Sequence, residues 1–182
     1  MKSLIEELKT TKTVLITGGA RSGKSSYALN LADEIRGRKA YLATAQPLDE
    51  EMEERIRKHK EGRSDEYISI EEPLEITQRL KEIDGSFEVI VIDCLTLWVS
   101  NLLHREECNL SRIEEEIREF VDCLKSLSAR LILVTNEVGM GIVPDNELSR
   151  SFRDLIGFAN QLVAEIADGV VVMFSGSPLR VK

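Results

Sequence analysis

Hydrophobic residues follow two alternating periods along this chain. Short apolar runs rich in β-branched residues predict strands at 13–17, 39–44, 67–70, 87–92, 130–135 and 170–175. Between them, apolar residues recur at helical spacing and predict helices over 24–36, 48–60, 73–83, 95–103, 110–127 and 146–167. This alternation indicates an α/β fold with a mainly parallel sheet, helices on both faces and a short C-terminal hairpin over 176–182.

The length of the chain suits a single domain. Its 182 residues are enough for one sizeable core, and no repeat, low-complexity tract or linker divides them. We therefore expect one domain over 1–182, in which residues 1–12 form an N-terminal extension ahead of the first strand.

The composition is typical of a globular protein. Hydrophobic residues make up 42% and charged residues 31% of the chain, and no apolar run approaches the roughly 20 residues of a membrane helix. The first residues, MKSLIEELKTTK, lack the apolar stretch of a secretory signal, so we expect a cytoplasmic protein. The widely spaced Cys94, Cys108 and Cys123 form no C-x-x-C pair and are expected to be reduced and mostly buried.

The net charge limits the kinds of partner. A charge of −8 argues against a nucleic-acid-binding surface, which requires a basic face to neutralise phosphates. Any affinity for phosphate must therefore come from a local site rather than from the whole surface.

A glycine-rich loop between the first strand and the first long helix provides such a site. It matches the pattern G-x-x-x-x-G-K-[ST], in which backbone N–H groups surround a β-phosphate, the lysine reaches the β- and γ-oxygens and the last hydroxyl ligates Mg²⁺. The alternative is a glycine turn that merely joins strand to helix. Because the loop has the strand-turn-helix setting that the mechanism requires, we predict a nucleoside triphosphate site at Gly18, Gly19, Ala20, Arg21, Ser22, Gly23, Lys24 and Ser25.

Asp93 ends the apolar run VIVID and is the candidate acidic residue of this site. In P-loop sheets, a carboxylate at the end of a buried strand faces Mg²⁺ or its water shell. The alternative is a polar strand end that faces solvent.

A candidate catalytic histidine lies in the helix predicted over 48–60. Leu48, Met52 and Ile56 mark its apolar stripe, and His59 continues that stripe three residues later, so we expect His59 to face the protein body. Cations surround His59 in an otherwise acidic chain, namely Arg57, Lys58, Lys60 and Arg63. From these residues alone, a basic helix end with a packed histidine and a nucleophilic histidine both remain open.

Several segments together resemble a known enzyme family. GGARSGKS, YLATA, ERIRKHKEGR, VIDCLTLWVSNLL and above all TNEVGMGIVP are similar to the bifunctional adenosylcobinamide kinase/adenosylcobinamide-phosphate guanylyltransferase family, in collinear order over 14–182. General P-loop chemistry does not require TNEVGMGIVP, which makes that segment the most specific element.

This resemblance implies a RecA-like P-loop NTPase fold and two reactions in cobalamin biosynthesis. The first phosphorylates the aminopropanol hydroxyl of adenosylcobinamide, and the second transfers GMP from GTP onto that phosphate to give adenosylcobinamide-GDP. The implied substrates are the corrinoid and GTP, with ATP or GTP as kinase donor and Mg²⁺ as cofactor. The family also implies a homo-oligomer, as a trimer.

The same resemblance implies the roles of individual residues. His59 matches the guanylylated histidine, and Lys58 stands where some relatives have another histidine. Asp93 replaces a glutamate found in some members, and Ser25 and Asp93 are the implied metal-binding residues. Besides the glycine-rich loop, the implied nucleotide contacts are Ala43, Thr44, Ala45, Lys60, Glu61, Gly62, Arg63, Glu71 and Asp93.

Other polar and aromatic residues leave several interpretations open. Asn136, Glu137 and Asn146 could bind corrinoid amides, lie at a subunit boundary or satisfy loop backbone. Trp98, Leu102 and Leu103 indicate core or an oligomer surface, and His104 a solvated helix end.

Two other functions compete with the one implied by the family. A simple small-molecule kinase would use the glycine-rich loop without a covalent histidine. A nucleotide-dependent switch is disfavoured because the chain lacks the N-K-x-D base motif.

Overall fold

The computed structural model describes residues 4–47, 49–61, 64, 66–106 and 109–182, apart from the side chains of Arg55, Lys58, His59 and Glu61. The strands are β1 Thr13–Gly18, β2 Lys39–Ala43, β3 Tyr67–Glu71, β4 Val89–Asp93, β5 Arg130–Val134, β6 Gly169–Phe174 and β7 Ser177–Arg180. The helices are α1 Leu4–Leu8, α2 Lys24–Asp33, α3 Glu50–Glu61, α4 Ile76–Ile83, α5 Leu95–Arg105, α6 Leu110–Ser126 and α7 Glu147–Ile166.

The strands form one seven-stranded sheet in the order β3-β2-β4-β5-β1-β6-β7. All neighbouring pairs are parallel except β6 and β7, which form an antiparallel hairpin. The predicted α/β fold, parallel sheet and C-terminal hairpin are therefore confirmed. The order also places β5 between β1, which leads into the glycine-rich loop, and β4, which ends at Asp93.

Alternating strand residues pack into two hydrophobic layers, one on each face of the sheet. Leu15, Leu42, Ile92 and Leu133 pack with α4, α5, α6 and α7. The intervening residues, including Ile16, Val91 and Val134, pack with α1 and α2. This period of two is what a sheet buried on both faces requires, and it fixes which strand-end side chains share a face with the glycine-rich loop.

Two helix boundaries differ from the predicted positions, and the N-terminal extension contains a short helix. The helix predicted from Pro73 begins at Ile76, because the Glu72 carboxylate accepts the N–H groups of Leu74 and Glu75 and holds them in a turn. Helix α2 ends at Asp33, before Gly37, which has a φ of 113°. At the N-terminus, α1 inserts Leu8, 1% exposed, into the layer on the α2 face.

Among the helices that the structure describes, none is both long and apolar enough to cross a membrane.

Candidate functional site

A cleft of about 510 Å³ opens at the carboxyl edge of the sheet, where the glycine-rich loop meets the ends of β2, β4 and β5 and the inner side of α3. Parallel α/β sheets bind ligands at this edge, outside the carboxyl ends of the strands. The lining includes loop and strand-end residues together with α3: Ala20, Arg21, Ser22, Gly23, Lys24, Ser25, Ser26, Tyr41, Ala43, Ala45, Met52, Ile56, Lys60, Glu71, Asp93, Cys94, Leu97, Val134 and Asn136.

The backbone of the glycine-rich loop has the conformation of a phosphate-binding loop. Gly18 and Gly23 have φ values of 141° and 91°, and Arg21 also has a positive φ of 56°. The Gly176 N–H donates to the Ser22 carbonyl over 3.0 Å, which ties the loop to the C-terminal hairpin. No side chain caps the N-terminus of α2 at Gly23, so its first N–H groups remain available to an anion.

Lys24 is held beneath this loop as a buried cation. Its side chain is 8% exposed, and its Nζ donates to the Gly19 carbonyl over 2.6 Å. Burial lowers the pKa of Lys24, and the nearby Cys94 and Asp93 partly oppose that shift. A triphosphate would add further negative charge beside this ammonium and so favour its protonated form.

Asp93 faces the same cleft as Ser25 and is positioned by a buried tyrosine. The Tyr41 hydroxyl donates to Oδ2 of Asp93, and Tyr41 lies on the α2 face of the neighbouring strand. Tyr41 was missed by the sequence reasoning, although its place at the start of YLATA, two residues before the end of β2, could have suggested that it faces the site. The oxygens of Ser25 and Asp93 suit Mg²⁺, which prefers hard ligands.

The described residues do not by themselves form a complete metal-binding site. Among them, no group of three or more His, Cys, Asp and Glu side chains could hold an ion. This fits Mg²⁺ at a nucleotide site, where one or two protein groups and substrate phosphates share the coordination. Ser25 and Asp93 would hold the ion, which would neutralise charge on the phosphates.

Thr44 supports the site from behind rather than lining the cleft. It is fully buried, and its hydroxyl accepts the Cys94 N–H over 2.9 Å and donates to the Cys94 carbonyl over 2.8 Å. Its hydroxyl is therefore occupied, whereas Ala43 and Ala45 on either side line the cleft. Burial raises the pKa of the Cys94 thiol to about 12, which excludes it as a nucleophile near neutral pH.

Helix α3 lies against the outer side of the cleft. Met52 and Ile56 line it at successive turns, which confirms the predicted inward stripe for these two positions, and Lys60 lines it one turn further on. Lys60 forms an ion pair with Glu71 at the end of β3, so two residues distant in sequence meet at the cleft margin. The side chains of His59 and Glu61 lie outside the described part of the chain, as do Leu48, Gly62 and Arg63.

A buried polar network anchors the segment after β5. Thr135 donates to Asn160 Oδ1 over 2.8 Å and contacts Thr96 Oγ1 at 3.2 Å. Thr96 and Asn160 are functional-site supports that sequence reasoning missed, because they lie on two helices and only the fold brings them together. Asn101 similarly donates to the carbonyls of Thr44 and Pro73.

The remaining candidates divide between core and surface. Trp98, Leu102 and Leu103 are buried, and Trp98 packs on Phe120 with ring centroids 4.8 Å apart, which places them in the core. Asn146 caps α7 by accepting the Ser149 N–H, and the Glu137 carboxylate accepts the Gly139 N–H. The exposed His104 contacts the Ser100 carbonyl. Cys94 and Cys123 are free and buried, as predicted, whereas Cys108 lies outside the described residues.

Sequence comparison relates the whole chain to a protein family and to named relatives. Residues 14–181 match the family model described as "Cobinamide kinase / cobinamide phosphate guanyltransferase". The bifunctional adenosylcobalamin biosynthesis protein CobP of Pseudomonas aeruginosa is 40% identical over 92% of this chain and 96% of its own length. The corresponding protein CobU of Escherichia coli is 36% identical over 93% of this chain and 99% of its own.

Solved structures bear on the fold alone. A prototypical ATPase from the type III secretion system of pathogenic bacteria superposes with a TM-score of 0.58 at 11% identity, over 90% of this chain. The VirB11 ATPase of the Brucella suis type IV secretion system superposes with a TM-score of 0.51 at 13% identity, over 98% of this chain. This chain spans about half, 51%, of each ATPase chain.

Proposed function

Because the chain belongs to the cobinamide kinase / cobinamide phosphate guanyltransferase family, we propose that it phosphorylates adenosylcobinamide and then transfers GMP from GTP onto the new phosphate. The observation that carries this proposal is one cleft that combines a phosphate-binding loop with the helix that contains His59. The product is adenosylcobinamide-GDP, and the enzyme is a transferase.

The kinase step requires a positioned terminal phosphate. The substrate hydroxyl oxygen forms a bond to the γ-phosphorus while the bond from the β,γ-bridging oxygen breaks, and a nucleoside diphosphate and a proton are released. Lys24 and the N–H groups at the start of α2 stabilise the charge on the transferred group and the leaving phosphate. Either ATP or GTP satisfies these contacts, because they involve phosphates rather than the base.

The guanylyl step requires a nucleophile at the α-phosphate. A ring nitrogen of His59 forms a bond to the α-phosphorus, and pyrophosphate leaves. An oxygen of the substrate phosphate then attacks the guanylyl-histidine, which breaks the P–N bond, forms the new diphosphate linkage and regenerates His59. The position of His59 in α3, between the cleft-lining Ile56 and Lys60, supports this role.

Nucleotide contacts around the cleft divide into those with the phosphates and those with the nucleoside. We assign the phosphates to Gly18 through Ser25, with Ser25 and Asp93 for Mg²⁺. Ala43, Ala45 and the pair Lys60–Glu71 lie at the cleft and are assigned to the nucleoside. Thr44 contributes by fixing the backbone, and Glu61, Gly62 and Arg63 are assigned by their family match alone.

We also propose a homo-oligomer, a trimer by family resemblance, in which the segment after β5 contacts another subunit. Its Met140 and Ile142 side chains are 81% and 96% exposed, and Val143 is exposed beside them. Adjacent exposed apolar side chains of this kind mark interaction sites. We place the reactions in the cytoplasm, which supplies nucleoside triphosphates and keeps thiols such as Cys94 and Cys123 reduced.

Labelled GTP tests the central chemistry. The full-length protein is incubated with Mg²⁺ and GTP labelled in either the α- or the γ-phosphate, then denatured and measured for retained label. We expect retained α-label that is acid-labile and base-stable, because a phosphoramidate has those properties. His59→Ala abolishes this signal.

The second histidine of the sequence provides a matched control. His104 is exposed on α5 and lines no part of the cleft, so His104→Ala keeps the α-label. Full retention of α-label in His59→Ala contradicts the assignment of the nucleophile. Phosphorylation of the corrinoid without any retained α-label identifies a simple small-molecule kinase instead.

A further inference from the structure

Asn136 occupies a position between the glycine-rich loop and Asp93. Val134, at the end of β5, pairs with Ile16 of β1 on one side and with Asp93 of β4 on the other. The ladder with β1 continues beyond the strand, since the Thr135 N–H donates to the Ile16 carbonyl and the Glu137 N–H to the Gly18 carbonyl, over 3.0 and 3.1 Å. Asn136 therefore lies level with the first loop glycine, beside the strand that ends at Asp93.

The polar network fixes the Asn136 backbone and leaves its side chain to the cleft. The Asn136 N–H donates to Thr96 Oγ1 over 2.7 Å, and its carbonyl accepts from Asn160 Nδ2 over 3.2 Å. Thr135 directs its hydroxyl toward α5 and α7, and successive residues in extended backbone alternate between faces. Asn136 lines the cleft, and no hydrogen bond of its amide to another described residue occurs.

A triphosphate that reaches from the loop to Asp93 would pass this amide. A phosphate bound at the loop and the start of α2 would lie above β1, whereas Asp93 ends β4, two strand spacings or about 9.5 Å away. Phosphates that extend from the loop toward Asp93 cross the end of β5, where Asn136 lies. A side-chain amide has two N–H donors, and donation to a charged oxygen is stronger than donation to a neutral one.

We propose that the Asn136 amide donates to the terminal phosphate of the bound nucleoside triphosphate and positions it for phosphoryl transfer. In the kinase step this phosphate moves to the acceptor, so the contact acts on the reacting group. In the guanylyl step the same phosphate leaves within pyrophosphate, remote from the new bond. The assignment to the kinase step rests on the proposed function, whereas the contact itself requires only a bound triphosphate.

Nucleotide binding tests the contact without catalysis. Wild type and Asn136→Ala are titrated by calorimetry, in Mg²⁺, with GDP and with the non-hydrolysable β,γ-imido analogue of GTP. Because the amide would bond a charged oxygen, Asn136→Ala weakens binding of the triphosphate analogue by roughly 10-fold and changes GDP affinity by less than about 2-fold. An equal loss for both nucleotides, or no loss for either, overturns the proposal.

Two further variants separate this role from a structural one. Asn136→Asp keeps the shape and adds a negative charge, so it weakens binding of the triphosphate analogue more than Asn136→Ala does. Asn146→Ala, in the same segment, removes a helix cap but lines no part of the cleft, and it leaves the preference for triphosphate unchanged. A smaller loss in Asn136→Asp than in Asn136→Ala contradicts an anionic ligand at this amide.

The two transfer reactions provide a second readout. In Asn136→Ala, γ-phosphoryl transfer to the corrinoid falls by at least about 10-fold, while retention of α-label falls by less than about 3-fold when GTP saturates. Equal losses in both reactions overturn the assignment to the kinase step. A further outcome is that the wild type catalyses neither reaction, yet Asn136→Ala lacks the preference for triphosphate that the wild type shows. In that case the proposed function fails and the phosphate contact stands.

Discussion

The Tyr41 hydroxyl donates a hydrogen bond to one carboxylate oxygen of Asp93, across the neighbouring strands β2 and β4. Tyr41 is almost fully buried, so its ring packing fixes the donor. The bond restricts rotation of the Asp93 carboxylate and leaves its other oxygen for a ligand in the cleft. Tyr41 is therefore a positioning residue for the carboxylate that is assigned to Mg²⁺.

Removal of the Tyr41 hydroxyl tests this positioning. Tyr41→Phe keeps the ring but frees the Asp93 carboxylate, so we expect the Mg²⁺ concentration for half-maximal transfer to rise by roughly 10-fold, as for other supports of metal-binding residues. Binding of Mn²⁺ in the presence of GTP, measured by electron paramagnetic resonance, weakens in parallel. Tyr67→Phe is the control, because Tyr67 donates to Asp33 and lines no part of the cleft. Unchanged metal dependence in Tyr41→Phe contradicts the positioning role.

The first glycine of the loop is required by the fold itself. A Cβ at Gly18 would lie 2.5 Å from the Met173 carbonyl oxygen, and Gly18 has a φ of 141°. Gly18→Ala must displace backbone and is expected to lower the free energy of unfolding by about 1–3 kcal/mol. A Cβ at the adjacent Gly19 meets nothing within 4 Å, so Gly19→Ala is the matched control. Urea unfolding measures both, and equal stabilities contradict the steric argument.

The buried Lys24 predicts a pH dependence of stability. Burial lowers the pKa of Lys24, so the unfolded chain holds this proton more tightly than the folded protein does. The cost of burying the charge is present below the lowered pKa and declines as the pH rises from there toward the ordinary lysine value of about 10.4. The stability advantage of Lys24→Met over wild type should therefore shrink with rising pH across that window.

Unfolding free energies of both proteins, measured at a series of alkaline pH values, check this prediction. Lys125→Met serves as the control, because Lys125 is exposed on α6 and pairs with Asp122. A difference between Lys24→Met and wild type that stays constant with pH shows that the folded protein does not perturb this lysine. Added GTP should favour the protonated form of Lys24, so GTP binding at alkaline pH should be accompanied by proton uptake.

The exposed apolar segment after β5 predicts an effect on assembly. Ile142→Glu changes a side chain that is 96% exposed in the protomer, so its effect on protomer stability stays within about 0.5 kcal/mol. A buried unpaired charge at a subunit contact is strongly unfavourable, so the proposed oligomer should dissociate. Light scattering coupled to gel filtration measures the mass, with Asp145→Asn as an exposed control in the same segment. An unchanged mass for Ile142→Glu excludes this residue from the contact.

The sequence by itself determined the class of fold and the phosphate-binding loop. Both depend on local patterns: apolar periods of two and 3.6 residues predict the elements, and Gly18 to Ser25 carry their spacing within eight residues. Asp93 could be anticipated in the same way, because it ends an apolar run. The helix boundaries near Pro73 and Gly37 could not be anticipated in this way. The Glu72 carboxylate decides the first, and the backbone turn at Gly37 decides the second.

The tertiary structure alone decided which residues surround the loop. The strand order places β5 between β1 and β4, and this brings Asn136 beside Gly18 and links it to Thr96 and Asn160 on separate helices. Lys60 meets Glu71, and Tyr41 meets Asp93, for the same reason. Contacts between residues far apart in sequence depend on how elements pack, which local hydrophobic periods do not encode.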